Sequence, residues 1–154
     1  MFKECLDSVK ENSPLIHNIT NYVTVNDVAN AMLAVGESPI MTEEKKEAAE
    51  ITSICNGLNI NIGTLNRNTI RAMFAAGKKA QSLNHKILLD PVGAGASTLR
   101  TKTALALISK IKFDVIRGNI SEIKTLATGS GKTKGVDANI EDAVSESNLE
   151  SAVA

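Results

Sequence analysis

The sequence predicts an α/β protein built on a mostly parallel sheet, and three observations predict it. Short aliphatic or β-branched runs alternate with longer stretches whose apolar residues recur every three or four positions, the pattern of strands joined by crossover helices. No Pro/Gly/Ser-rich linker and no internal repeat divides the 154 residues, so residues 1–154 are expected to form a single domain. A chain of this length buries about 70% of the surface exposed when it is unfolded, enough for a sheet covered on both faces.

Taken in order, residues 1–12 carry acids and lack the apolar stretch of a secretory signal. The first strand is Leu15–Ile19. Residues 24–35 then place Val25, Val28, Ala29, Met32 and Val35 on one helical stripe. A weaker strand is Ser38–Met41, followed by a helix over residues 43–54 that opens on acids and turns Ala48, Ile51 and Ile54 inward. A strand over residues 58–62 leads into a helix over residues 66–82 with Ile70, Met73, Phe74 and Gly77 on its apolar face. Strands at residues 87–89 and 113–116 flank a helix over residues 101–110, and a last apolar stripe begins with Ile140, Ala143 and Val144. The count is about five strands and six helices.

Composition narrows the function. Seventeen basic and 17 acidic residues cancel, so no basic stripe marks a nucleic-acid or anionic-membrane binder. No apolar run approaches the roughly 18 residues of a membrane span. Cys5 and Cys55 have no metal-ligand spacing and read as reduced thiols of a cytoplasmic protein. A small-molecule protein is the remaining class.

In an open parallel sheet, ligands bind beyond the carboxyl ends of the strands, where crossover loops and helix N-termini converge. Those positions here are His17 to Asn21, Met41-Thr42, Asn61 to Thr64, Asp90 to Gly95 and Arg117 to Asn119. All five are polar or glycine-rich, which suits a site, although polar strand ends also serve as helix caps. Asp90 ends an apolar strand before Pro91 and two glycines, and suits either a cation near phosphates or an N-cap. Asn119 and Glu122 have the spacing of a capping box, which leaves Arg117 unexplained unless it meets a phosphate. Asp90 and Glu122 could share a hydrated Mg²⁺, which needs only one or two carboxylates.

Other features are weaker. The stretch Gly129 to Thr133 lacks the first glycine of a phosphate loop, since Leu126 stands at that position, and reads as a surface loop. His17 reads as a hydrogen-bonded structural residue more than as an acid or base, and His85 precedes a strand. Asn18, Asn21, Asn26 and Asn30 form either a polar helix face or a set of amides for a small polar ring.

Five ordered blocks then carry a resemblance: Ser13 to Asn21 (SPLIHNITN), Gly36 to Met41 (GESPIM), Asn61 to Leu65 (NIGTL), Leu89 to Ala96 (LDPVGAGA) and Ile116 to Glu122 (IRGNISE). The chain resembles the hydroxyethylthiazole kinases of the ribokinase-like superfamily, and the likeness extends to about Gly135-Val136-Asp137-Ala138. The resemblance implies a ribokinase-like three-layer αβα fold, usually trimeric with sites between subunits. It implies ATP- and Mg²⁺-dependent phosphorylation of the alcohol of 4-methyl-5-(2-hydroxyethyl)thiazole in thiamine biosynthesis. It assigns Met41 and Asn21 to the thiazole, Arg117 and Asn119 to ATP, and Asp90 and Glu122 to Mg²⁺. Glu37 departs from the small residue usual before Ser-Pro, and is expected either on the rim of the site or as a charge that weakens binding.

The resemblance covers rather more than the first half of the family's length. The later Thr-Gly strand end and the Thr-Gly-x-Gly-Cys loop with the catalytic cysteine have no counterpart, so the expected fold is a truncated one with no catalytic residue assigned. Loss of an anion-stabilising loop costs at least about 10² in rate, so weak or absent turnover is expected. The alternative from another class is a catalytically inactive fragment that binds ligand or assembles with a partner through an exposed sheet edge. A relative acting on a different alcohol is the third reading, and Met41 in its block argues against it.

Overall fold

A computed structural model describes residues 2–129. Within them lie six helices and five strands: α1 (Phe2–Asn12), β1 (Leu15–Ile19), α2 (Val25–Val35), β2 (Ser38–Met41), α3 (Lys45–Ile54), β3 (Gly57–Asn61), α4 (Arg67–Ser82), β4 (Lys86–Asp90), α5 (Thr98–Ile108), β5 (Val115–Ile116) and α6 (Ile120–Thr128). Every strand pairing is parallel, and the order across the sheet is β2-β1-β3-β4-β5. The α/β class and the parallel sheet are those the sequence predicts. The stretch after Gly129, with the stripe from Ile140, lies outside the described residues.

Element boundaries move where side chains override apolar pattern. α5 begins at Thr98 because the Ser97 hydroxyl accepts from the Arg100 N–H. α4 begins after Asn66, whose side chain accepts from the Asn68 and Thr69 N–H groups. β4 gains Lys86 and Asp90, which pair with Gly57 and Asn61. β5 keeps only Val115 and Ile116, both exposed, while Phe113 turns toward the core.

Handedness decides which face each helix covers. Parallel crossovers are right-handed, so connections running in opposite directions across a sheet place their helices on opposite faces. Among the described elements only α2 connects leftward, from β1 to β2. α3, α4 and α5 all connect rightward and share the other face. There Ile19, Leu58, Ile60, Ile87 and Leu89 meet Ala48, Met73, Ala76, Ala104 and Leu107 in one fully buried cluster. Burying such an aliphatic side chain is worth about 1.5–3 kcal/mol.

Alternation of strands and helices predicts cover on both faces, whereas the truncated fold that the resemblance implies leaves a face uncovered. Among the described residues the second face is covered only in part. α1 and α2 contribute no fully buried residue. Over β3, β4 and β5 that face opens into a groove of about 780 Å³, lined by Ile16, Asn59, Leu88 and Val115 of the sheet and by Val28 and Met32 of α2. The topology supplies the reason, because only one described crossover passes over this side. No described helix is long and apolar enough to cross a membrane.

Candidate functional site

The strand order reverses between β1 and β3, and such a point opens a crevice at the carboxyl ends of the strands. Asn21 follows β1 and Asn61 ends β3. They meet across the crevice, where Asn21 Nδ2 donates to Asn61 Oδ1 at 3.1 Å. Both side chains are buried. Asn21 Oδ1 is already committed, since it accepts from the backbone N–H groups of Val23 and Thr24 at the start of α2. Asn61 Oδ1 also accepts from the Gly63 N–H at 2.9 Å.

The relay continues to the next strand. Asn61 Nδ2 donates to Asp90 Oδ2 at 2.9 Å, and Arg117 Nη1 donates to the same oxygen at 3.1 Å. Burial raises the Asp90 carboxyl above the ordinary carboxylate value, because the Arg117 charge and the two hydrogen bonds only partly offset its desolvation. Arg117 is three-quarters exposed, so its guanidinium faces solvent from the ion pair.

Glu122 sits one turn into α6 and is 4% exposed. Its Oε2 accepts from the Asn119 N–H at 2.9 Å, and the Asn119 side chain accepts in turn from the Glu122 N–H at 3.0 Å, the capping box that the spacing predicts. Its Oε1 reaches the β4–α5 loop and accepts from the Gly93 N–H at 2.7 Å. Gly93 takes φ +74°, a left-handed conformation that an L side chain rarely adopts.

Asp90, Val92, Arg117, Gly118, Asn119 and Glu122 together line a cavity of about 290 Å³ at the ends of β4 and β5. Four of the six residues singled out from the sequence therefore share one cavity, and Asn21 joins it through Asn61. Met41 does not line it. It ends the edge strand β2, half-buried, with Asn18 as its register partner on β1.

A hydrated cation fits this donor set. Asp90 and Glu122 supply hard oxygen atoms, and no group of three or more His, Cys, Asp or Glu forms among the described residues. Glu122 holds backbone N–H groups with both oxygens, and Asp90 engages Asn61 and Arg117 through Oδ2 alone. Such carboxylates suit Mg²⁺, which keeps several of its waters.

Other residues fall elsewhere. Glu37 precedes β2 while Met41 ends it, so the charge stands at the opposite end of that strand from the site. His17 is fully buried, with both ring nitrogens bonded, Nε2 donating to the Thr42 carbonyl at 2.9 Å. Asn26 and Asn30 lie on the exposed side of α2, whereas Asn18 is buried and accepts from Asn59 Nδ2 at 3.0 Å. Cys55 is buried and Cys5 exposed.

Two contributors were missed by the sequence reading. Asn61 was placed at a strand end without a role. Arg100 Nη2 donates to the Gly63 carbonyl at 2.8 Å and so ties the β3–α4 loop to α5. Its signal is a cation three residues after an N-cap serine, which faces back toward the preceding loop. Thr20, whose buried hydroxyl has no hydrogen-bond partner among the described residues, lines the same groove as Asn61.

A family model described as the hydroxyethylthiazole kinase family matches residues 6–154. The hydroxyethylthiazole kinase of Clostridium acetobutylicum is 61% identical over 153 residues, 99% of this chain and 56% of that protein. The Desulfovibrio desulfuricans enzyme of the same name is 48% identical over 154 residues, 100% of this chain and 54% of the relative. The solved structure of hydroxyethylthiazole kinase from Pyrococcus horikoshii superposes with a TM-score of 0.77 at 45% identity, covering 80% of this chain and 48% of that one. The chain spans about half the length of the curated relatives it matches.

Proposed function

From the premise that this chain belongs to the hydroxyethylthiazole kinase family, we propose that its residues form the phosphate-facing part of a site that transfers the ATP γ-phosphoryl group to a thiazole alcohol. The observation that carries the reading is the single cavity bordered by Asp90, Arg117, Asn119 and Glu122 at the carboxyl ends of β4 and β5. Arg117 presents an exposed guanidinium to phosphate oxygens, where charge-assisted hydrogen bonds are strongest. Asn119 and Glu122 fix the N-terminus of α6, whose dipole favours negative charge. Asp90 and Glu122 would hold hydrated Mg²⁺, which neutralises charge on the phosphates when bound. Asn21 and Met41 take the thiazole side, and a homotrimer in the cytoplasm is the setting that the family likeness implies.

Phosphoryl transfer depends on positioning and on stabilising the charge that spreads over the transferred group. The open groove over β3 to β5 favours a second reading, a module that binds nucleotide and assembles with a further polypeptide.

The test is transfer of γ-phosphate to 4-methyl-5-(2-hydroxyethyl)thiazole with and without Mg²⁺, with ATP binding followed by calorimetry in parallel. Mg²⁺-dependent product supports the kinase reading. ATP binding without product supports the module, and neither binding nor product removes both.

A further inference from the structure

The geometry points to Asn61 as a positioning residue that ties the thiazole side of the crevice to its phosphate side, an inference that rests on the kinase reading above. Asn21 lies in the β1–α2 turn and Asp90 ends β4, and among the described residues no hydrogen bond joins the two directly. Asn61 bonds both: its Oδ1 takes the Asn21 amide at 3.1 Å and its Nδ2 gives to Asp90 Oδ2 at 2.9 Å.

The orientation of this carboxamide is fixed by its partners. The Gly63 N–H can only donate, so the atom 2.9 Å from it is the oxygen. Asp90 as a carboxylate can only accept, so the amide nitrogen faces it. Asn21 is fixed the same way, because two backbone N–H groups of the β1–α2 turn claim its oxygen. The series therefore has one direction, from the start of α2 through Asn21 and Asn61 to Asp90, where Arg117 closes it from the far side.

Space around Asn61 is closed as well as bonded. A Cβ on Gly63 would stand 2.9 Å from Asn21 Cβ and 3.0 Å from Asn61 Oδ1. Arg100 holds the same loop through the Gly63 carbonyl. Asn61 is buried, with 8% of its surface exposed. Both contacts to Asp90 fall on Oδ2, and the carboxylate is held in one rotamer with Oδ1 carrying neither of them. An Asp90 left to rotate would lose that alignment, and misplacement of about 1 Å costs on the order of 10²-fold in rate.

Two substitutions separate the two ends of the amide. Asn61→Asp keeps an acceptor for Asn21 and Gly63 but removes the donor to Asp90. Asn61→Leu removes both functions at similar volume. The readouts are the side-chain N–H resonances of Asn21 and Arg117 in the ligand-free chain, with the backbone spectrum as the check on folding. Asn61→Asp is expected to leave the Asn21 amide signals in place and move those of Arg117, and Asn61→Leu to move both. In the transfer assay, Asn61→Leu is expected to lower kcat by about 10- to 100-fold while the KM for the thiazole alcohol stays within about threefold. Unmoved Asn21 and Arg117 signals in a folded Asn61→Leu chain overturn the inference. So does a kcat that does not change while those signals move. Should Asn61→Leu fail to fold, the Arg117 signals of Asn61→Asp decide alone. If the unsubstituted chain neither binds ATP nor transfers phosphate, the kinase reading fails, and the resonances still decide whether Asn61 holds Asp90.

Discussion

His17 Nδ1 lies 2.8 Å from Thr52 Oγ1, and the same hydroxyl lies 2.7 Å from the Ala48 carbonyl. The hydroxyl has one proton for two acceptors. A carbonyl can only accept, so the ring nitrogen facing Thr42 carries the proton, and neutral His17 presents a bare Nδ1 to Thr52. The Thr52 proton then points at the ring. When the ring is protonated, Nδ1 donates to the hydroxyl, which turns its proton to Ala48.

Removing that hydroxyl leaves the fully buried Nδ1 without a donor. Thr52→Val is expected to cost about 1–3 kcal/mol at pH 8, the penalty of an unsatisfied buried polar atom, with Thr52→Ser recovering part of it. Urea unfolding of the three chains at that pH measures the difference.

Burial pushes the His17 pKa below 6.5, against the opposing pull of the Thr42 carbonyl and the Glu47 charge. The unfolded chain therefore binds the proton first. Stability is at its full value above pH 6.5 and falls as pH drops from there to the lowered folded value, below which this contribution is level. Urea midpoints between pH 7.5 and 5 are expected to decline in the unsubstituted chain and to decline less in His17→Asn.

Glu122 engages two backbone donors, one on its own helix and one on the β4–α5 loop. Glu122→Gln sets an NH₂ group against one of those N–H groups, and about 1–3 kcal/mol of stability is expected to be lost. Glu122→Ala abandons both donors and is expected to lose more. Chemical denaturation ranks the pair, and amide exchange at Gly93 should accelerate in both variants.

Gly63 has no room for a methyl group, with Asn21 Cβ 2.9 Å from where a Cβ would stand. Gly63→Ala is expected to displace the Asn21 side chain and cost about 1–3 kcal/mol, the usual range for overpacking. Loss of the Asn21 side-chain amide shifts, together with a lower thermal midpoint, is the expected result.

Arg117 separates stability from function. Its exposed ion pair with Asp90 is worth at most about 1 kcal/mol, so Arg117→Ala is expected to fold and melt nearly as the parent does. ATP affinity should fall by about 10-fold or more, since a charged hydrogen bond to phosphate is lost. Calorimetry with ATP and Mg²⁺ checks the second half of the statement, and a melting curve the first.

The fold was legible because short apolar runs alternate with stripes of helical period, and a polar or glycine residue follows each run. Ser97, Asn66 and Asn119 all cap as their chemistry dictates. What periodicity could not convey was cover. The apolar stripe of α2 is real, yet it lies over one edge of the sheet, because crossover direction and not hydrophobicity decides which face a helix occupies. The cavity was legible at Asp90, Arg117, Asn119 and Glu122, all at strand ends or one helical turn beyond. Asn61 and Arg100 were not, because their roles come from partners 29 and 37 residues away that only the assembled sheet brings near.

The strand order also bears on how the chain is made. β2 and β3 each pair with β1, β4 pairs with β3, and β5 pairs with β4. Each described strand after β1 finds a partner already synthesised when it leaves the ribosome, and after β3 each new strand adds to the edge laid down just before it. Synthesis at about 5–20 residues per second gives each crossover unit a second or more before its successor emerges, longer than helix formation and loop closure require. Assembly can proceed from β1 outward without waiting for residues still to come, so the sheet half of the site can be in place while the rest of the polypeptide is still being translated.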